Sequence, residues 1–143
     1  MTQLDLGFGE LRFSITLLGR EVEVPGMPYL DWLICEVSVE VPAFSGRFRC
    51  NLMPADLEEL AKGLSDLHAQ VPTPGRFAFQ SSETNISLSF GLTPTGSIEG
   101  TYRFCPSSFE STGLSGDFSI DQSFLPGLAA QIRAFVRASK DAA

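Results

Sequence analysis

Leu11-Arg-Phe-Ser-Ile-Thr-Leu17 alternates apolar and polar residues, the period-two mark of a strand with one buried face. Leu11, Phe13, Ile15 and Leu17 predict an inner row, with Arg12, Ser14 and Thr16 outside. Gly19 and then Pro25-Gly-Met-Pro28 break the pattern and predict a loop. A second strand is expected from about Leu30 to Val41, with Leu33, Cys35, Val37, Val39 and Val41 inward. Its outer row is Ile34, Glu36, Ser38 and Glu40, with Trp32 at its start. Pro42-Ala-Phe-Ser-Gly46 reads as a turn into a third strand, Arg47 to Leu52, which makes a hairpin with the second. Its inner row is Phe48, Cys50 and Leu52, and its outer row is Arg47, Arg49 and Asn51.

The period then changes. Pro54 suits the first turn of a helix, where a missing N–H costs nothing. Leu57, Leu60, Ala61, Leu64, Leu67 and His68 recur at helical spacing. Asp56, Glu58 and Glu59 read as a solvated helix start at the positive end of the dipole. The helix stops before Pro72-Thr-Pro-Gly75. Four more alternating segments follow, around Phe77–Phe79, Ile86–Leu92, Ser97–Cys105 and Leu114–Ile120. A closing helix is expected from Asp121 to Ser139, with Ser123 the preferred cap and Leu125, Leu128, Ala129, Ile132, Phe135 and Val136 in its stripe.

The expected order is β-β-β-α-β-β-β-β-α. Short turns favour antiparallel pairing. The fold class is therefore α+β: a single antiparallel sheet of six to seven strands with both helices packed on one face. No internal repeat or long linker divides the chain, so residues 1–143 read as a single domain.

Composition narrows the function. The formal net charge of -7 argues against nucleic acid, which needs a basic patch. It suits a basic protein partner. Acidity also simply keeps proteins in solution. No basic-plus-apolar leader opens the chain, and no run approaches a membrane span. The three cysteines, Cys35, Cys50 and Cys105, match no metal spacing and fall in expected strands. A reduced cytoplasm is the simplest location.

Catalytic chemistry finds little purchase. His68 is the single histidine, and no nucleophile or orienting partner is identifiable for it. Gly7-Phe-Gly9 lacks the rest of a nucleotide fingerprint. No serine sits in a Gly-x-Ser-x-Gly elbow. No cofactor or metal is expected. What remains is the outward sheet face. Trp32, Glu36, Glu40, Arg47, Arg49, Arg103 and Asp117 are its candidate partner-binding residues, since aromatic anchors and arginines are enriched at hot spots. The competing reading makes Glu36, Glu40, Arg47 and Arg49 cross-strand pairs, each contributing roughly 0.2–1 kcal/mol. Trp32 is also large enough for the core, which is the reading we favour for it.

Two stretches carry a resemblance. One runs from Trp32-Leu through Val37, Val39 and Val41-Pro-Ala-Phe-Ser-Gly46-Arg-Phe to Asp56-Leu-x-x-Leu60. The other is Phe118-Ser-Ile-Asp-Gln-Ser-Phe-Leu-Pro126. Their order and spacing resemble the WapI-like family of small bacterial immunity proteins, from about Glu10 to Arg137. The resemblance implies a non-enzymatic protein that neutralises the toxic C-terminal domain of a contact-dependent toxin, and it carries over no catalytic residues. The rival readings are a ligand-binding or enzymatic module with a deep groove between helices and sheet, and a self-associating structural module. A homodimer is compatible with all of these.

Overall fold

Strand formation begins earlier than the sequence reading expects. Leu4, Leu6 and Phe8 alternate with Asp5 and Gly7, and they form β1 (Gln3–Phe8), buried at every second residue. The computed structural model describes residues 2–22, 31–107 and 112–141. The expected loop at Pro25–Pro28 lies outside the described residues. After β1 come β2 (Leu11–Val22), β3 (Asp31–Val41), β4 (Phe44–Leu52) and α1 (Pro54–Ala69). The second half repeats that order: β5 (Gly75–Gln80), β6 (Ile86–Leu92), β7 (Ser97–Phe104), β8 (Leu114–Asp121) and α2 (Leu125–Asp141). The chain is thus two successive ββββα units, a repeat of architecture without a visible repeat of sequence.

The eight strands form two antiparallel sheets of four, ordered β1-β2-β3-β4 and β5-β6-β7-β8. This corrects the single sheet. Alternation says which side of a strand is buried, not what buries it. Here α1 interrupts the chain between β4 and β5, and the second sheet starts a ladder of its own. Each inner face then covers the other. Phe8 of the first sheet packs on Phe90 and Phe118 of the second, with ring centroids 5.6 and 5.1 Å apart. Phe13 meets Phe104 edge-on at 5.1 Å. These separations suit offset and T-shaped ring pairs.

The helices pack on one another and on the remaining apolar surface, α1 against β5 and β3, α2 against β1. Their expected stripes are the buried residues: Leu57, Leu60, Ala61, Leu64 and Leu67 in α1, and Leu125, Leu128, Ala129, Ile132, Phe135 and Val136 in α2. A Cβ at Gly63 of α1 would overlap the Phe77 ring of β5, so the glycine opens the notch that lets this strand approach. Arg20 of β2 forks onto Asp31 of β3 at 2.9 and 2.6 Å. The same guanidinium donates to the Ser139 carbonyl of α2 at 3.4 Å, fixing the end of the helix against the first sheet.

Three local expectations change. Gly19 does not end a strand: β2 continues, with a register shift between Leu17 and Gly19. The bulge leaves Leu18 41% exposed. The turn before β4 is tighter than expected, only Pro42 and Ala43, because Val41 already pairs with Phe44. Proline supplies the first turn residue, but Ala43 sits at φ +71°, where a β-carbon crowds the carbonyl and costs roughly 1–2 kcal/mol. Finally, α2 is preceded by a 3₁₀ turn, Gln122–Phe124, and its cap is Asp121 rather than Ser123. The Asp121 carboxylate accepts the Ser123 N–H at 3.0 Å.

Two predictions follow from this packing. Gly100 of β7 lies beneath the Phe118 ring, and an added Cβ would also collide with the Ser89 backbone carbonyl. Backbone cannot swing aside, so Gly100→Ala is expected to cost about 1–3 kcal/mol or more, read as a lower denaturant midpoint. The second concerns acid. The Ser123 hydroxyl, then its N–H, holds the Asp121 carboxyl below the ordinary range. A depressed folded pKa adds stability above the unfolded value of about 3.9, lost as pH falls through the lower folded value. Asp121→Asn is therefore expected to flatten the loss of stability below about pH 4. A profile unchanged from the parent would contradict the capping role.

Candidate functional site

Few polar groups are buried, and those that are hold the fold. Asp56 is 6% exposed, not part of a solvated helix start as its neighbours Glu58 and Glu59 are. It accepts the Met53 N–H at 3.2 Å and the Ser82 N–H at 3.2 Å, while the Ser82 hydroxyl donates to its other oxygen at 2.8 Å. The carboxylate thus joins the start of α1 to the turn between β5 and β6. Asn85 donates to the carbonyls of Cys105 and Pro106 at 2.8 and 3.2 Å. His68 is half-buried in the last turn of α1.

Cys35 and Cys50 lie opposite each other on β3 and β4. Burial, with a smaller contribution from the facing Cys50, pushes the Cys35 thiol up to about 12. Burial and then Glu83 push Cys50 up to about 12. Neither supplies a thiolate nucleophile at neutral pH. Among the described residues, no three His, Cys, Asp or Glu side chains converge to hold a metal.

The structure divides the sequence-derived surface candidates. Trp32, Glu36 and Glu40 lie on the outer row of β3, and Arg47 and Arg49 on that of β4. Arg103 and Asp117 belong to β7 and β8 of the other sheet. Because the inner faces meet, the outer faces point away from each other, and the seven residues form two surfaces. Trp32 is half-buried on the outer row, paired with Glu21, not in the core. Glu36 lies opposite Arg49 and pairs diagonally with Arg47 at 3.6 Å. The cross-strand charge pairing is thus present. Glu40 faces Arg12 on one side and Ser45 on the other, without an ion pair to a described cation.

A broad concavity lies where sequence reasoning placed little. An open groove of about 820 Å³ crosses the outer ends of β1, β2 and β3 and reaches the β8–α2 junction. Asp5, Arg12, Ser14, Ser38, Glu40, Asp121 and Phe124 line it. A second recess, sharing Ser38 and Glu40, continues to Ala43 and Phe44. Phe44 is 67% and Phe124 61% exposed. Their signal in the sequence was negative: Phe124 falls outside the α2 stripe, and Phe44 lies in a turn. The helix–sheet interior holds buried side chains of one apolar cluster. Where α1 meets β5 the recess is open and about 280 Å³.

Fold and surface together define an α+β protein of two ββββα units, each sheet keeping an outer face in solvent. The family model of the immunity protein WapI-like family matches residues 5–138. The chain belongs to that family, as the resemblance implied. No curated protein matches the chain. A solved structure titled "Structure of the plant transcriptional regulator PBF-2" is similar over 97% of this chain and 82% of its own, at 5% identity and a TM-score of 0.41. That likeness is too low to carry an argument. No described helix is long and apolar enough to cross a membrane.

Asp56 yields a stability prediction. Asp56→Ala leaves the Ser82 and Met53 donors without their acceptor, at an expected cost of about 1–3 kcal/mol. Urea unfolding measures it, and Ser82→Ala is expected to lose less.

Proposed function

We propose that this chain is an immunity protein that binds the toxic domain of a cognate bacterial toxin and blocks it by occupancy, with no chemistry of its own. The observation that carries this reading is membership of the WapI-like immunity family over residues 5–138. The net charge of -7 supports a basic toxin domain as partner. The absence of a thiolate at Cys35 and Cys50 agrees with a binding role. In this reading the chain acts as a single cytoplasmic domain. Its partner-binding residues are drawn from the solvent-facing rows: Trp32, Glu36, Glu40, Arg47 and Arg49 on the first sheet, with Arg103 and Asp117 on a separate surface.

The test is co-expression with a candidate cognate toxin domain. Restored growth and a stoichiometric complex on size exclusion are expected. Protection is expected to scale with the molar ratio of the two proteins. Protection at far below equimolar amounts would instead indicate turnover, and no complex with no protection would sink the proposal.

A further inference from the structure

We infer that the groove running from the hairpin tip at Phe44, over the outer ends of β1, β2 and β3, to Phe124 beyond β8 is the docking surface for a cationic, partly apolar protein segment. The inference rests on the immunity reading and names the surface and chemistry that reading leaves open.

Three observations converge on it. The first is shape: the groove of about 820 Å³ runs into the recess beside Phe44 through the shared Ser38 and Glu40. A trough open along its length fits a segment of chain better than a small molecule, which pockets enclose over most of its surface. The second is apolar exposure. Of the three large hydrophobic side chains exposed among the described residues, two stand at the ends of this trough. Single exposed phenylalanines are ordinary, but a pair bracketing one groove forms two anchor points, and aromatic anchors dominate interface energies. Phe44 is presented by a two-residue turn whose Ala43 holds φ +71°. Non-glycine residues keep such strain mainly where the surroundings enforce it, often at functional positions.

The third is charge. Asp5, Glu40 and Asp121 line the groove against the single cation Arg12. None of the three carboxylates forms an ion pair with a described cation, whereas Glu36, further along the same face, is already held by Arg47 at 3.6 Å. The groove therefore carries three carboxylates without an ion-pair partner among the described residues, against one cation. The middle of the second sheet's outer face differs: Ser89 and Thr101 bond to each other there. Lysines or arginines flanked by apolar side chains complement the trough, and nucleic acid or an acidic segment does not.

The experiment has two arms on the full chain. In the first, affinity for the cognate toxin domain is measured for the parent, Phe44→Ala/Phe124→Ala and Asp5→Asn/Glu40→Gln. The aromatic double variant is expected to bind roughly 30-fold more weakly. The charge variant is expected to associate more slowly and lose salt dependence. All four side chains are exposed, and unchanged unfolding midpoints verify the fold. In the second arm, amide shifts are followed by NMR during titration with a synthetic Lys/Leu peptide and its Glu/Leu counterpart. Shifts with the Lys/Leu peptide alone, confined to the trough and fading between about 0.05 and about 0.5 M salt, are expected. Toxin binding undiminished in both variants overturns the trough and leaves the immunity reading standing. No toxin binding, with the Lys/Leu peptide still mapping to the trough, overturns the immunity reading and keeps the cationic docking surface. Failure of both arms removes both.

Discussion

The meeting of two aromatic faces is the constraint on which the rest of this molecule depends. Phe8 and Phe13 of the first sheet interlock with Phe90, Phe104 and Phe118 of the second. Rings this bulky pack between sheets only if something small lies beneath them. Gly100 lets Phe118 lie flat, and Gly116 leaves room for Tyr102. The core thus combines large rings with missing side chains on neighbouring strands, the large-against-small packing that brings interiors to close density.

Once the sheets are joined, the helices have a defined place. Each carries one apolar stripe, and each buries it partly on the other helix. Three polar ties fix their positions. Asp56 anchors α1 to the β5–β6 turn, Arg20 and Asp31 anchor the end of α2 to the first sheet, and Asp121 sets where the last strand yields to helix. Asp56 and the Arg20–Asp31 pair give up solvent for two or more directed partners, so burial of their charge is compensated, while the exposed Asp121 caps a helical turn.

The same arrangement produces the surface that function requires. Joining the sheets by their inner faces turns both outer faces to solvent, and on the first of them charge and aromatic exposure are unevenly spread. One stretch is neutralised internally by Glu36 with Arg47 and Arg49. Another, from the hairpin tip to the β8–α2 junction, keeps carboxylates without an ion-pair partner among the described residues beside exposed rings. A binding protein has no need of a perturbed catalytic group, and its specificity resides in such an uneven distribution of charge and apolar area.

Alternation and helical spacing by themselves determined most of the elements and nearly every buried position: Leu33, Val37 and Val39 inward, Glu36 outward, the stripes of both helices. They also contained β1, since Leu4, Leu6 and Phe8 alternate as plainly as any later strand, though Gly7 and Gly9 disguise it. The pattern is local because burial of a side chain follows from the period of its own backbone. Only the tertiary structure decided that there are two sheets, that each covers the other, and that Arg103 and Asp117 stand apart from Trp32 and Glu40. Strand pairing and facing depend on distant segments, and a linear sequence carries no distance between them. The groove is the same case: Asp5, the hairpin carrying Glu40 and Phe44, and Phe124 lie far apart in the chain, and only the folded backbone brings them to one groove.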